Sequence, residues 1–205
     1  LTAERVRMNT LASNLANANT AGYKRQDAEF EDLLYQTERS AGLGPGDVAG
    51  PSMVQIGSGA RVVATSRHLA QGAVEQTGNP LDIAIEGSGF LVVTRDDGTN
   101  AFTRAGSLKV GSDGRLVTSD GLPVEPPISL PADATEIAIG SDGRVTAQMP
   151  GQTQPTDLGR LQLATFTNPA GLSAYGHNLF LASPSSGEAS IGDAGSDGRG
   201  TIMQG

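Results

Sequence analysis

Side chains that commonly carry out chemistry are scarce in this 205-residue sequence. It contains no Cys and two His, which excludes disulfides, thiolate metal ligands and a cysteine nucleophile. His68 lies in "TSRHLAQG" and His177 in "YGHNLF", and neither has His, Asp or Glu at the spacing of metal ligands. Ser58 and Ser88 stand in Gly-Ser-Gly triplets that lack the context of a hydrolase nucleophile. We expect both histidines to be ordinary surface or turn residues.

Acidic residues recur in a short motif, "GSDGR", at 111–115 and 140–144, and as "GSDGRG" at 195–200. Asp and Gly are frequent in calcium-binding loops, but each copy supplies one carboxylate, which is too few for a Ca²⁺ ion. Asp-Gly is the typical centre of a β-hairpin turn, so the motif predicts turns. The sequence also has no phosphate-binding loop and no GxGxxG that opens a helix. It therefore predicts no enzyme activity, no metal and no cofactor.

Composition and charge exclude further classes of function. The net charge is −8, so the chain has no basic excess with which to neutralise phosphates, and a nucleic-acid partner is not expected. No apolar run approaches the roughly 20 residues that span a bilayer, so membrane insertion is not expected. Hydrophobic residues make up 37% and aromatics 4% of the chain. A core must therefore consist mainly of Val, Leu, Ile and Ala.

The first 18 residues predict an amphipathic α-helix. At about 100° per residue, Met8, Leu11 and Leu15 fall within an apolar arc of roughly 120° together with Leu1, Ala12 and Ala18. Such a helix either packs on its own domain or contacts other helices, and the pattern alone leaves both alternatives open. We expect Asn19 or Gly22 to adopt the left-handed conformation that ends many helices.

The remainder of the chain predicts an antiparallel β-protein. Residues 23–38 fit either a short amphipathic helix or an extended arm, and the Gly- and Pro-rich residues 40–60 fit a loop. From residue 60 onward, short apolar or alternating runs follow one another about every ten residues. Hairpin turns are expected at four dipeptides: Asp97-Gly98, Asp113-Gly114, Asp120-Gly121 and Asp142-Gly143. From residue 182 the chain is rich in Ser and Gly and predicts a flexible or extended exit segment.

Several stretches resemble one known family in a single collinear order. The N-terminal signature of the flagellar rod and hook axial proteins reads roughly "NLAN…T.G[FY]K", and residues 8–36 are similar to it. The matching stretches are "MNTLASNLANANTAGYKRQDAEFEDLLYQ" (8–36), "LDIAIEGSGFLVV" (81–93), "FTRAGSLKV" (102–110), "GRLQLATFTNPAGLSAYGHNLFLAS" (159–183) and "GTIMQG" (200–205). Within the family, "FEDLLYQ" and "LGRLQLATFTNPAGL" look most like the distal rod members. Proximal rod and hook members are the close alternatives.

The resemblance implies a structural subunit and no catalysis. Family members are exported through the flagellar type III apparatus and assemble helically into the rod, a tubular drive shaft that crosses the periplasm and transmits torque to the hook. In them an N-terminal and a C-terminal helix pair around the channel, and a β-rich domain lies outside. The implied partners are further copies of the chain, the neighbouring proximal rod and hook-side axial proteins, and the surrounding ring proteins that act as a bushing. The family extends beyond this chain at both ends, so we expect a part of a longer protein.

The resemblance also implies roles for particular residues. The apolar stripe would contact partner helices, and amides would set the register with neighbouring chains. The expected self-assembly residues are Met8, Leu11, Asn14, Leu15, Asn17 and Asn19. Gly22 and Tyr23 would end the helix and turn the chain outward. Residues 41–59 would correspond to an insertion that stiffens the rod, with Gly42, Leu43, Gly44, Pro45, Gly46 and Pro51 as its expected key positions.

The resulting hypothesis is a mainly β protein with an N-terminal α-helix. Its expected parts are the helix (1–22), a linker or arm with the insertion (23–62), the antiparallel β-domain (63–183) and an extended return segment (184–205). The alternative from another class is a β-rich adhesin or binding module. Such a module would need an aromatic platform, but the β-region holds only Phe90, Phe102, Phe166, Tyr175 and Phe180, most of them at expected core positions.

Overall fold

The computed structural model of the chain describes residues 2–20, 22–32, 35–39, 54–57, 60–67 and 70–205. It is mainly antiparallel β with one N-terminal helix, as predicted. Contacts divide the chain into two compact units: the first comprises residues 1–18 and 24–68, and the second residues 19–23 and 69–205. The division differs from the predicted boundaries, because the strand predicted to open the β-domain belongs to the first unit.

The first unit combines a helix with two strand pairs. Its elements are α1 (Thr2–Ala16), β1 (Gln26–Asp32), β2 (Tyr35–Arg39), β3 (Val54–Gly57) and β4 (Ala60–Arg67). Strand β1 pairs antiparallel with β4, with a bulge at Glu29/Phe30, and β2 pairs antiparallel with β3. Of the two alternatives for residues 23–38, the extended arm is therefore correct. The predicted loop 40–60 contains strand β3, and residues 40–53 lie outside the described residues.

Gly22, one of the two residues predicted to be left-handed after the helix, has a φ of +75°, and Asn19 does not adopt that conformation. Gly22 lies six residues beyond Ala16, so it does not cap the last turn of α1. The carbonyl of Ser13 instead accepts bonds from the Asn17 backbone N–H at 3.1 Å and from the Asn17 side chain at 2.9 Å, and Leu15 accepts one from Ala18. These bonds satisfy carbonyls that a left-handed cap would otherwise satisfy.

The second unit consists of short strands. In chain order they are β5 (Ile83–Glu86), β6 (Phe90–Thr94), β7 (Asn100–Thr103), β8 (Leu108–Val110), β9 (Leu116–Thr118), β10 (Val124–Glu125), β11 (Glu136–Ile139), β12 (Arg144–Gln148), β13 (Thr156–Arg160), β14 (Gln162–Thr165), β15 (Ser173–Gly176), β16 (Leu179–Leu181), β17 (Ser190–Asp193) and β18 (Thr201–Gln204). The largest sheet has the order β15-β16-β7-β6-β14-β17, with β10 also paired to β6. Smaller sheets join β11-β12-β13, β18-β5 and β8-β9.

Strand β6 separates two hydrophobic cores, which explains its unbroken apolar run. Leu91 lies in the larger aliphatic core, whereas Phe90 and Val92 lie in a smaller cluster on the opposite face. A strand buried on both faces needs apolar residues at every position instead of alternate ones. In the smaller cluster the Phe102 and Phe166 rings meet edge to face at 4.8 Å, and Phe90 contacts both Phe166 and Phe180.

All four predicted Asp-Gly turns are present, each with a glycine at positive φ. In the two "GSDGR" copies at 111–115 and 140–144, the first Gly donates to the Arg carbonyl at 2.8 Å, and the Asp Oδ1 accepts the Arg N–H at 3.2 Å. The third copy closes a turn between β17 and β18, with a 2.8 Å bond from Gly195 N–H to the Gly200 carbonyl. The repeated motif is thus a repeated turn.

The predicted flexible or extended exit segment is instead an integral part of the second unit. Strand β17 extends the large sheet beside β14, and β18 pairs with β5. Ile202 is 2% exposed within the aliphatic core, and Ser186 and Arg199 are also buried. Composition misled the prediction, because backbone pairing with β14 and β5, together with the buried Ile202, holds a segment that is otherwise Ser- and Gly-rich.

We predict that Gly143→Ala destabilises the second unit much more than Gly98→Ala. Both glycines lie in Asp-Gly turns at nearly the same φ, +81° and +78°. Left-handed strain alone costs about 1–2 kcal/mol in each. At Gly143 the new methyl group would also fall on the Leu161 carbonyl oxygen, next to the 2.8 Å bond from Leu161 N–H to the Gly143 carbonyl. At Gly98 no atom of the described residues lies within 4 Å of the added carbon.

Urea denaturation of both variants measures the difference. We expect Gly143→Ala to lower the free energy of unfolding by about 3 kcal/mol or more. Equal decreases in the free energy of unfolding of the two variants would show that the contact between the Gly143 turn and Leu161 does not contribute to stability.

Candidate assembly surface

Helix α1 presents its largest apolar side chains to solvent. Met8 is 67% exposed, Leu11 59% and Leu15 80%. They follow one another at helical spacing, so they form one continuous surface, which we call the leucine face (Met8, Leu11 and Leu15). Isolated exposed leucines are common, but a contiguous exposed stripe on a single helix indicates a surface that a partner covers.

The opposite side of α1 packs on strands β1 and β4. Its half-buried residues recur at intervals of three and four: Ala3, Val6, Thr10, Asn14 and Asn17. At about 100° per residue, the centre of this side lies about 140° around the helix from the centre of the leucine face. The chain therefore packs the smaller and more polar side of its helix inward and leaves the larger apolar side outward.

Asn14 attaches the helix to strand β1. Its Nδ2 donates to the Gln26 carbonyl at 2.7 Å, and its Oδ1 accepts the Gln26 backbone N–H at 3.0 Å. One amide side chain thus bonds both backbone groups of a single strand residue. We call this pair of bonds the Asn14 clamp. The sequence pointed to the amides, but it predicted bonds to neighbouring chains and did not predict this bond within the chain.

The other predicted helix residues occupy different surroundings. Asn17 donates from Nδ2 to the Ser13 carbonyl one turn earlier, so this amide helps to close the helix. Asn19 is exposed. A role for Asn14, Asn17 and Asn19 in contacts with neighbouring subunits stays a prediction, as does the self-assembly role of the leucine face.

Gly22 belongs to the second unit and lies close to the backbone of Arg104 and Ala105 in that unit. Its φ is +75°, and an added Cβ would lie 2.9 Å from the Ala105 nitrogen and 3.1 Å from the Arg104 carbonyl carbon. The next residue, Tyr23, donates its N–H to the Thr20 carbonyl at 3.2 Å. Position 22 therefore requires a glycine for two reasons: its φ is left-handed, and there is no room for a side chain. The sequence indicated the first reason but not the second.

The predicted stiffening insertion falls outside the described residues. This holds for all six of its expected key positions: Gly42, Leu43, Gly44, Pro45, Gly46 and Pro51. His68 and Ser58 also fall outside them. The stiffening role of residues 41–59 stays a prediction.

A cleft of about 460 Å³ in the second unit is lined by charged and aromatic groups that include Arg95, Asp97 and Tyr175. The Arg95 guanidinium lies 4.2 Å from the centre of the Tyr175 ring and donates to its hydroxyl at 2.8 Å. A hydrogen bond from the Thr99 hydroxyl holds the pKa of Asp97 below its usual value, so this carboxyl accepts bonds and does not donate protons near neutral pH. These contacts tie the β6–β7 turn to strand β15.

His177 also lines this cleft and has the geometry of a turn residue. His177 has a φ of 50° in the tight turn between β15 and β16, and its Nδ1 lies 3.8 Å from Asp120 Oδ1. This agrees with its expected role as a turn residue. In the described part of the chain, no group of three or more His, Cys, Asp or Glu could hold a metal ion, and no helix there is long and apolar enough to cross a membrane.

Two family models match the chain. Residues 1–24 match the model described as "Flagella basal body rod protein". Residues 84–147 match the model described as "Flagellar hook protein FlgE/F/G D1 domain". The first match covers helix α1 with the leucine face, and the second lies within the β-strands of the second unit.

Curated relatives match over a greater length. The flagellar basal-body rod protein FlgG of Buchnera aphidicola subsp. Baizongia pistaciae is 42% identical over 205 residues, which is 100% of this chain and 79% of the relative. FlgG of Caulobacter vibrioides is 41% identical over 207 residues, with the same coverage of 100% and 79%. The flagellar hook protein FlgE of Helicobacter mustelae is 36% identical over 126 residues, which cover 60% of this chain and 28% of the hook protein.

We predict that Leu15→Asp leaves the free chain folded, whereas Val6→Asp loosens the helix from its strands. Leu15 is exposed, and substitutions at such positions usually change stability by no more than about 0.5 kcal/mol. Val6 is half-buried against β1 and β4, where a new carboxylate without a partner costs about 1–3 kcal/mol. Amide hydrogen exchange in α1 measures both effects. Fast exchange in Leu15→Asp would show that this side chain already packs within the single chain.

Proposed function

The chain belongs to the FlgG family of flagellar basal-body rod proteins, and from that membership we propose that it forms the distal part of the rod. It is a structural subunit of the bacterial flagellar basal body. The observation that carries the assembly mechanism is the leucine face. It is exposed in the single chain, and it lies within residues 1–24, which match the family model of basal-body rod proteins.

In this proposal, assembly buries the leucine face against helices of other subunits or against another helix of the same protein chain. Contacts between two different patches on successive copies generate a helical filament when the rotation does not close. Burying a leucine side chain contributes about 1.5–3 kcal/mol, so Leu11 and Leu15 together would contribute about 3–6 kcal/mol to the addition of one subunit. The second unit has hydrophobic cores of its own, which do not involve the leucine face.

The proposed partners follow from this mechanism and from family membership. They are further copies of the chain, proximal rod and hook-side axial proteins at the ends of the segment, and the ring proteins around it. Export by the flagellar type III apparatus is part of the same proposal. The role requires no catalysis and no cofactor, and the contact between Arg95 and Tyr175 serves in it to hold the β6–β7 turn against strand β15.

Other functions receive less support. The matched part of the hook protein is 28% of its length, against 79% for the rod relatives, which favours the rod over the hook. A carbohydrate-binding module would need exposed rings side by side. Four of the five aromatic residues of the β-region, Phe90, Phe102, Phe166 and Phe180, are instead buried together, and Tyr175 stacks on Arg95.

We predict that Leu15→Asp abolishes incorporation into rods in cells. The substitution places a charge at the most exposed residue of the leucine face, where a partner helix would have to bury it at a cost of several kcal/mol. Asn9→Asp is the matched control, because Asn9 is exposed on the same helix outside this face and gains the same charge. Rod protein in purified basal bodies is the measurement. Normal rods from Leu15→Asp would show that the leucine face is not an assembly contact.

A second prediction concerns the proposed stiffening insertion. Arg39 of β2 pairs with Val54 of β3, so replacing residues 40–53 by Asn-Gly would join the two strands by a short hairpin turn. We expect a folded protein whose rods are more flexible or misassembled, because most of the proposed stiffening insertion is gone. Curvature and length of the rods in electron micrographs are the readouts. Straight rods of normal length would contradict the stiffening role.

A further inference from the structure

We infer that Asn14 is a positioning residue for assembly: its clamp on Gln26 fixes the rotation of helix α1 and thereby directs the leucine face outward. The inference rests on the proposed function, because it names the residue that presents the proposed contact surface. It assigns to Asn14 an action inside its own chain that precedes any contact with a partner.

The geometry of the clamp selects an amide. Gln26 directs its backbone N–H and its C=O toward the same side, and Asn14 meets them with one acceptor and one donor at 3.0 and 2.7 Å. Asn and Gln are the side chains that carry both groups on one planar end. Asp has nearly the same shape, but as a carboxylate it cannot donate, and its second oxygen would face the Gln26 carbonyl. The asparagine amide thus takes the place that a neighbouring strand would take.

Apolar packing alone gives little reason for the observed rotation. The inward side of α1 is formed by Ala3, Val6, Thr10, Asn14 and Asn17, of which Val6 is the largest apolar side chain. Met8, Leu11 and Leu15 would bury more apolar area against β1 and β4 if the helix turned by about 140° about its axis. A directional interaction must therefore oppose that rotation. The Asn14 clamp is such an interaction, because its two bonds break when the helix rotates.

The Asn14 clamp therefore orients the leucine face before a partner binds. If the helix could turn its leucines onto its own strands, a partner would have to reverse that packing. The apparent affinity for the partner would then fall in proportion to the fraction of chains whose leucine face points outward. Holding the helix in one rotation removes this loss. It also fixes the position of the leucine face along strand β1, on which a regular lattice of subunits depends.

Substitutions at Asn14, and at the exposed Asn9 of the same helix, test the clamp in the free chain. Asn14→Ala removes the acceptor of the Gln26 N–H, so we expect the Gln26 amide to exchange with solvent about tenfold faster in Asn14→Ala than in Asn9→Ala. Asn14→Asp keeps an oxygen for that N–H but loses the donor to the Gln26 carbonyl, and Asn9→Asp adds the same charge to the same helix. We expect a smaller acceleration in Asn14→Asp relative to Asn9→Asp, because its second oxygen repels the Gln26 carbonyl and loosens the remaining bond. Equal exchange in Asn14→Ala and Asn9→Ala would overturn the clamp.

The same variants in cells test the consequence for assembly. We expect Asn14→Asp and Asn14→Ala to reduce the amount of rod protein in purified basal bodies, and both Asn9 variants to assemble normally. Normal rods from an Asn14 variant whose Gln26 exchange is accelerated would overturn the positioning role. That outcome differs from a failure of the proposed function, which normal rods from Leu15→Asp would show while the clamp stays intact.

Discussion

The rotation of helix α1 about its axis decides which of its side chains are available to other molecules. A helix has one side to pack on its own domain, and the choice here is unusual, because the packed side carries Val6, Thr10 and Asn14 and the free side carries the larger apolar residues. Two hydrogen bonds between one amide and one strand residue hold this arrangement. The exposure of the leucine face, and with it the assembly mechanism that we propose, depends on that constraint.

The second unit is held together by its own hydrophobic cores and its turns. Strand β6 has a core on each face, and a cluster of four phenylalanines closes one of them. Turns repeated with the same hydrogen bonds join the short strands. Even the last residues are held, since β18 pairs with β5 and Ile202 is buried. Such internal order suits a structural subunit of the basal-body rod.

Local signals in the sequence predicted much of this fold. The helix followed from its periodicity, and the four hairpins followed from Asp-Gly, because a left-handed glycine is a local requirement. Contacts between distant residues were not predictable in the same way. Nothing in the Ser- and Gly-rich end indicates that β17 pairs with β14 and β18 with β5. Likewise, only the folded structure shows that a side chain at position 22 would collide with the backbone of Ala105. The apolar stripe of α1 was readable from the sequence, but its exposure depends on the clamp to Gln26, twelve residues away.

Chemical labelling of one position on the leucine face tests the account most directly, because the chain contains no cysteine of its own. A single Leu15→Cys substitution gives one thiol, whose reaction with a water-soluble maleimide can be timed in the free chain and in purified rods, beside Asn9→Cys on the same helix. The account predicts rapid labelling at position 15 in the free chain and strong protection in the rod. Equally rapid labelling of position 15 in both states would contradict it.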